Sequence, residues 1–171
     1  NCDRPWTQGH MKGISMSHFQ IAIDGPSGSG KSTLARAVSQ ILGILYLDTG
    51  AMYRACGLKA ILSGIAPKDE EPVTKMLENI DIDIRFIDGT QHVFLDGEDV
   101  SSAIRKPEVS VAASDISAIP SVRMKMVAMQ REIAGTRNVV LDGRDIGAFV
   151  LPDAKDKFFL TADPEERAQT R

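Results

Sequence analysis

The feature that most constrains this chain is a glycine-rich run placed between a short apolar strand and an apolar helix. Residues 25–32 read Gly-Pro-Ser-Gly-Ser-Gly-Lys-Ser and match the spacing G-x-x-x-x-G-K-[ST] at every fixed position. The apolar run from Phe19 to Ile23 predicts a strand before it. The helix after it is indicated by apolar residues at helical spacing, namely Leu34, Ala35, Val38, Ile41 and Leu42. A strand, a glycine turn and a helix in this order form the setting in which such a loop binds phosphate.

Each residue type in the run has a physical use in binding an anion. Gly25, Gly28 and Gly30 allow the backbone to turn its N–H groups inward, and Lys31 adds a positive charge. Ser32 is predicted to offer its hydroxyl to a magnesium ion. The competing interpretation is a glycine-rich turn that only caps an ordinary helix.

Composition limits the classes of protein that remain. The chain has 171 residues, which favours one main domain with room for a small insertion, and 43% of the residues are apolar. A net charge of -3 gives no basic surface for nucleic acid. No apolar run approaches the roughly 18 residues that span a bilayer. With only two cysteines and no metal-ligand spacing, we expect a cytoplasmic monomer without nucleic-acid or membrane partners.

The segments before and after the first helix set the fold class. Residues 1–17 are interpreted as a leader, because Gly9-His10-Met11 resembles a cloning remnant before a start methionine. Ile44 to Leu47 predicts a second strand, and two strands joined through a helix imply a right-handed crossover and a parallel sheet. Thr49 is expected to cap the next helix. Arg54, one turn further on, either reaches back to an anion or is simply solvated.

A middle segment has a different hydrophobic periodicity, which alternates as in β-strands, and we predict that it is an insertion. Ile82, Ile84 and Phe86 alternate strictly, and two Asp-Gly turns follow them, which predicts an antiparallel meander. We therefore divide the chain into a core of residues 18–75 and 118–162, an insertion of residues 76–117, and a helix start at residues 163–171. His92 in the meander is interpreted as a surface residue, because no partner is apparent near it in the sequence.

A second group of charged residues follows a later buried strand. Asn138 to Leu141 predicts that strand, and Asp142 ends it where phosphate-loop enzymes place the acid that positions magnesium. Arg144 and Asp145 add a cation and a second acid within three residues. Arg123 and Arg131 lie off the core stripe of the preceding helix, where an arginine can also be merely solvated.

Together these groups favour phosphoryl transfer. Lys31 and the loop amides are predicted to hold the phosphates of a donor, while Arg54 and Arg144 hold a second anion that faces them. That arrangement suits a kinase with a small phosphorylated acceptor. A switch GTPase is disfavoured, because the chain contains no Asn-Lys-x-Asp motif.

Four segments in order make the chain resemble the bacterial cytidylate kinase family. They are Asp24–Thr33, Asp48–Arg54, Asp96–Ser101 with Ile104-Arg105, and Asp142–Gly147. The resemblance runs from Phe19 to Arg171. It implies a P-loop NTPase three-layer α/β fold, with a central parallel sheet and an antiparallel monophosphate-binding insertion.

The resemblance also implies an activity, which is transfer of the γ-phosphoryl group of ATP to CMP or dCMP with Mg2+. The catalytic residues it implies are Lys31, Arg144, Arg167 and Arg171. The ATP-binding residues it implies are Gly25, Pro26, Ser27, Gly28, Ser29, Gly30, Lys31, Ser32 and Thr33. The CMP-binding residues it implies are Thr49, Arg54, Ser114, Arg123, Arg144 and Asp145. Ser32 and Asp142 are the implied metal residues.

Two alternatives stay open from the sequence. One is a P-loop kinase for another small acceptor, such as shikimate or AMP, and the other is a nucleotide-binding module without catalysis. Arg167 and Arg171 match the start of the family's arginine-bearing lid, but Thr170 stands where some relatives have another arginine. A polypeptide ending at Arg171 is expected to bind phosphate and to phosphorylate CMP poorly.

Overall fold

The computed structural model describes residues 18–161 as two sheets with helices packed against them. The helices are α1 Lys31–Leu42, α2 Thr49–Leu62, α3 Glu70–Met76, α4 Pro107–Ile116 and α5 Pro120–Thr136. The strands are β1 Gln20–Asp24, β2 Leu45–Asp48, β3 Ile82–Ile87, β4 Thr90–Leu95, β5 Glu98–Asp99, β6 Val139–Gly143 and β7 Asp156–Phe159. The predictions for the leader and for residues 163–171, including Arg167 and Arg171, lie outside the described residues.

The central sheet is parallel, in the order β2-β6-β1-β7. Strand β1 lies in the middle, with Asp24 level with Gly143 on one side and with Phe159 on the other. Asp48 at the end of β2 is level with Asp142 at the end of β6. The ends of β1, β2 and β6 therefore meet at one edge, as the predicted parallel α/β fold requires.

The second sheet is the predicted antiparallel meander, in the order β3-β4-β5. Both of its turns have two consecutive residues with positive φ, Asp88 (51°) with Gly89 (73°) and Asp96 (51°) with Gly97 (88°). Two left-handed residues in a row form a type I′ turn, whose twist matches that of the flanking strands. The Asp-Gly pairs were therefore a reliable signal in the sequence.

The core continues from the parallel sheet to the antiparallel sheet and α4. One cluster of buried side chains contains Leu47 and Leu141 from the sheet, Met52 from α2, Val93 from β4 and Ile116 from α4. A smaller cluster on the other face of the sheet joins Ile21, Ile23, Ala35, Tyr46 and Val140. The antiparallel sheet therefore packs on the body of the protein instead of having a core of its own.

Helices α2 and α4 approach each other closely at Gly57. A Cβ atom added there would lie 2.8 Å from the backbone nitrogen of Ala113 and 3.1 Å from the carbonyl carbon of Ala112. The absence of a side chain at Gly57 thus sets the spacing between the two helices.

Some sequence expectations about the helices were wrong. Of the five apolar residues expected on the buried face of α1, only Ala35 is fully buried, and Leu34, Ile41 and Leu42 are exposed. The cap of α2 is Asp48, whose carboxylate accepts from the backbone of Ala51 at 3.0 Å, and Thr49 is the first helical residue. Within residues 18–161, no helix is long and apolar enough to cross a membrane.

Candidate active site

The phosphate loop connects β1 to α1 and has the geometry predicted for it. Gly25, Gly28 and Gly30 have φ angles of 156°, 78° and 83°, which residues with a Cβ atom rarely adopt. Helix α1 begins at Lys31, and no side chain caps its first N–H groups. The loop therefore leaves a helix N-terminus open toward an anion. The Lys31 ammonium lies back over the loop and donates to the Pro26 carbonyl at 3.0 Å.

The predicted metal residues are in direct contact. Ser32 donates its hydroxyl to Asp142 Oδ2 at 2.7 Å, although the two residues are 110 positions apart in sequence. Tyr46 on β2, which sequence reasoning missed, donates its hydroxyl to Asp142 Oδ1 at 2.9 Å. Both oxygens of this buried carboxylate are thus held by hydroxyl donors.

The electrostatics at Asp142 favour a nearby cation. Burial raises the pKa of Asp142, the hydroxyls of Ser32 and Tyr46 oppose this rise, and Asp48 adds to it. Burial also raises the pKa of Tyr46 well above its usual 10.0, with Asp48 and Asp142 adding to the effect, so the phenol remains a donor. A cation beside Asp142 would offset the cost of keeping this carboxylate charged.

A magnesium ion fits these groups in chemistry. A carboxylate and a hydroxyl are hard oxygen donors of the kind that Mg2+ prefers, and Mg2+ takes its other ligands from water and substrate phosphates. Within the described part of the chain, no cluster of three or more His, Cys, Asp or Glu side chains is arranged for a metal. Water or a bound phosphate would have to supply the ligands of such an ion that Ser32 and Asp142 do not.

The start of α2 brings two more predicted residues to the same edge. The Arg54 guanidinium bonds to Asp48 Oδ2 at 3.0 Å, and both side chains are less than one third exposed. The Thr49 hydroxyl is buried and donates to the backbone carbonyl of Asp142 at 2.7 Å. Thr49 therefore ties α2 to β6 here, and Asp48 was missed although it both caps α2 and orients Arg54.

The predicted base-reading residues on α5 and after β6 are also together. Arg123 bonds to Asp145 Oδ2 at 2.5 Å, and each side chain is about half exposed, at 47% and 46%. Tyr53 on α2 lies close enough for both charges to affect it. Burial raises the pKa of Tyr53, the Arg123 charge lowers it and the Asp145 charge raises it. Tyr53 was not among the predicted site residues.

The remaining predicted residues are less constrained. Ser114 on α4 and Arg144 after β6 are both exposed, so their side chains are open to a ligand. Arg131 is exposed, and it also donates to two backbone carbonyls at the end of the turn after Asp145, which its position off the core stripe did not indicate. His92 is not isolated either, since its Nδ1 lies 2.8 Å from Asp99 Oδ2 on the neighbouring strand.

A cavity of about 680 Å³ opens beside Arg54. Its walls come from α1, β2 and the β3–β4 hairpin, and it includes Asp48 and Ala51. Successive residues of a helix are turned by 100°, so Ala51 and Arg54, which line the cavity, lie on a different side of α2 from Tyr53. The phosphate loop does not line this cavity.

Comparison with known proteins points to one family. The cytidylate kinase family model matches residues 21–171. A cytidylate kinase of Caldicellulosiruptor bescii is 53% identical over 156 residues, which cover 91% of this chain and 69% of that protein. A cytidylate kinase of Caldanaerobacter subterraneus subsp. tengcongensis is 55% identical over 152 residues, covering 89% of this chain and 66% of the relative.

A relative of lower sequence identity is also a cytidylate kinase. The cytidylate kinase of Lactobacillus johnsonii is 48% identical over 153 residues, covering 90% of this chain and 66% of its own length. The chain thus spans about two thirds of the length of these relatives.

Proposed function

The chain belongs to the cytidylate kinase family, and from that premise we propose that it transfers the γ-phosphoryl group of ATP to CMP or dCMP, releasing ADP and CDP or dCDP. The observation that carries the proposal to this chain is the contact of Ser32 with Asp142 at 2.7 Å beside the phosphate loop. It joins the end of the loop to the acid at the end of β6, where the donor's metal-bound phosphates belong.

The donor side is assigned to residues 25–33. The N–H groups of the loop and the N-terminus of α1 hold the β- and γ-phosphates, and Lys31 leaves the Pro26 carbonyl to reach them. Ser32 and Asp142 hold Mg2+, which when bound neutralises charge on the phosphate oxygens. Because phosphoryl transfer needs mainly positioning and charge neutralisation, no nucleophilic side chain is required.

The acceptor side is assigned to the groups around α2, α4 and the end of β6. Arg54 and Arg144 grip the phosphate of the monophosphate, and Thr49 lies at the same edge of the sheet. Moving Arg54 onto a phosphate exchanges its carboxylate partner Asp48 for another anion, so the guanidinium keeps a charged partner throughout. Arg167 and Arg171 are assigned to the closing lid by resemblance alone.

Base selection is assigned to Ser114, Arg123 and Asp145. Cytosine presents an exocyclic amine that a carboxylate accepts, and ring acceptors to which Arg or Ser donate. Uracil presents an oxygen in place of the amine, and it would face Asp145 unfavourably. A mispaired polar group at the contact with the base is an effective basis for rejecting the wrong substrate.

An acceptor screen tests the proposal. The purified protein is incubated with Mg-ATP and, in turn, CMP, dCMP, UMP, AMP or shikimate, and ADP release is followed in a coupled assay. We expect CMP and dCMP to be phosphorylated far faster than the others. Equal or faster use of AMP or shikimate would refute the assignment of the acceptor.

A matched pair of lysine variants tests the site. Lys31→Ala should lower kcat/KM by on the order of 100-fold or more, because the charge on the transferred phosphoryl group loses its cation. Lys75→Ala removes an exposed lysine from α3 and should leave kcat/KM within about twofold. Unchanged turnover in Lys31→Ala would remove the kinase assignment from this loop.

A further inference from the structure

The loop that carries Arg144 and Asp145 ends in a π-helical turn, residues 146–150. At its start, the Ile146 N–H donates to Asp24 Oδ1 at 2.6 Å, and the Gly147 N–H donates to Asp24 Oδ2 at 2.8 Å. One carboxylate from the end of β1 therefore holds two successive backbone donors. Sequence reasoning gave Asp24 no role.

The other end of the turn is held by a cation. Arg131 on α5 donates from Nε to the Val150 carbonyl at 2.9 Å and from Nη2 to the Phe149 carbonyl at 2.6 Å. A helical turn exposes N–H groups at its start and carbonyl groups at its end. A carboxylate at the start and a guanidinium at the end match that polarity, and charge-assisted bonds are roughly twice as strong as neutral ones. We call Asp24 and Arg131 together the turn clamp.

Both members of the turn clamp are anchored in rigid elements. Asp24 is the last residue of the inner strand β1, and its backbone carbonyl accepts from the Leu160 N–H at 2.7 Å. Its neighbour Gly25 donates its N–H to the Gly143 carbonyl at 3.2 Å. Arg131 is carried by the 17-residue helix α5. The residues on either side of Arg144-Asp145, namely Gly143 and Ile146, are thereby fixed to the body of the protein.

The close approach of Asp24 depends on a glycine in the turn. A Cβ atom added at Gly147 would lie 3.2 Å from Asp24 Oδ2 and 3.1 Å from Lys157 Cδ. These distances are tighter than most real Cβ contacts, so a side chain there would push the carboxylate or the turn aside. Since both oxygens of Asp24 already accept from the backbone, this carboxylate is occupied in holding the turn.

We propose that Asp24 and Arg131 are positioning residues for the acceptor site, because together they fix the turn and so hold Asp145 at the base and Arg144 at the phosphate. The inference rests on the proposed function for the identity of the acceptor. The two residues act through the backbone and touch neither nucleotide. Loosening the turn by about 1 Å would misplace both side chains, and misplacement of that size can cost on the order of 100-fold in rate.

Two single variants weaken the turn clamp without creating a cavity. Asp24→Asn keeps one acceptor oxygen but puts an NH2 group opposite the second N–H donor. Arg131→Lys keeps the charge but loses the planar fork that donates to the two carbonyls from two separate nitrogens. The matched controls are Asp88→Asn in the β3–β4 turn and Arg137→Lys at the end of α5. They make the same exchanges at exposed positions that do not contact the turn of residues 146–150.

The first measurement uses the enzyme without nucleotide. In wild type, hydrogen exchange should show protected Ile146 and Gly147 amides, and Asp24→Asn should speed exchange at one or both by about tenfold or more. Unprotected amides in wild type, or unchanged exchange in Asp24→Asn, would overturn the turn clamp whatever the enzyme phosphorylates.

The second measurement is steady-state kinetics with CMP and UMP. Both clamp variants should raise the KM for CMP and lower the ratio of kcat/KM for CMP to that for UMP, by roughly tenfold, while the KM for ATP changes less than about threefold. The controls should match wild type. If exchange increases while the CMP KM and the CMP-to-UMP ratio stay at wild-type values, the positioning role is refuted and the contacts are structural only. A wild-type enzyme that does not phosphorylate CMP would instead refute the proposed function.

Discussion

Replacing Gly57 by alanine should destabilise this protein, although the same change normally stabilises a helix. Gly57 lies inside α2, and the new Cβ atom would meet α4 at 2.8 Å from the Ala113 nitrogen, 3.1 Å from the Ala112 carbonyl carbon and 3.2 Å from the Ala113 Cα. All three are backbone atoms, so the contact cannot be relieved by the rotation of a side chain. Helix α4 has to move by about 0.6 Å to reach the 3.4 Å at which ordinary contact begins.

The magnitude follows from two opposing terms. An alanine inside a helix gains about 0.5–1 kcal/mol over glycine in the free energy of unfolding. Overpacking a closely fitted contact costs about 1–3 kcal/mol. The net loss is expected to be about 1–2 kcal/mol, which for a domain of this size lowers the Tm by roughly 3–6 °C. Because α2 carries Arg54 and α4 carries Ser114, we also expect a higher KM for CMP.

The matched control is Gly135→Ala in α5, where an added Cβ has nothing within 4 Å. This variant should gain about 0.5–1 kcal/mol, since only the helix term acts. Thermal and urea unfolding of the two variants beside wild type test the argument. If Gly57→Ala proves as stable as wild type or more so, while Gly135→Ala is stabilised, the packing argument at the α2–α4 contact is wrong.

Three smaller predictions concern polar groups. Tyr46→Phe removes the hydroxyl bond to Asp142 and should lower the free energy of unfolding by about 1–2 kcal/mol in urea titration; equal stability would contradict this. The pKa of Asp99 is lowered from 3.8 to about 2, chiefly by hydrogen bonds from Ser101, so its stabilising effect is present above about pH 4 and is lost toward pH 2. The difference in urea midpoint between wild type and Asp99→Asn should therefore shrink over that range, and a constant difference would refute the linkage. Gln130 is 1% exposed and its Nε2 has no partner among residues 18–161, so Gln130→Met should raise stability by about 1 kcal/mol, and a lower Tm would count against it.

Local signals in the sequence predicted the elements well. The two Asp-Gly pairs, Asp88-Gly89 and Asp96-Gly97, predicted both turns of the meander, because few other residue pairs tolerate consecutive positive φ angles. Pro107 and Pro120 begin α4 and α5 as expected, because an N–H group at the first helical position would have no acceptor within the helix. These signals depend on the conformational preferences of single residues and survive in any tertiary context.

Helix faces were predicted less well. On α1 the apolar spacing indicated a buried face, yet Ile41 is 82% exposed and Leu42 is 51% exposed. Periodicity shows that a helix has an apolar face but does not show which elements cover it. The partners of Arg131 and His92 were not predicted either, since a pattern of single residues says nothing about partners that lie on another element.

The sequence by itself determined the phosphate loop, the order of strands and helices, and the chemistry at the strand ends, because the spacing of Gly25, Gly30, Lys31 and Ser32 specifies a local conformation. Only the tertiary structure decided which polar and charged groups contact one another. The contacts of Ser32 with Asp142, of Asp24 with Ile146 and Gly147, and of Arg131 with the far end of that turn join residues distant in the chain. Such contacts follow from the packing of β1 beside β6 and of α5 against the turn, and no local residue pattern encodes that packing.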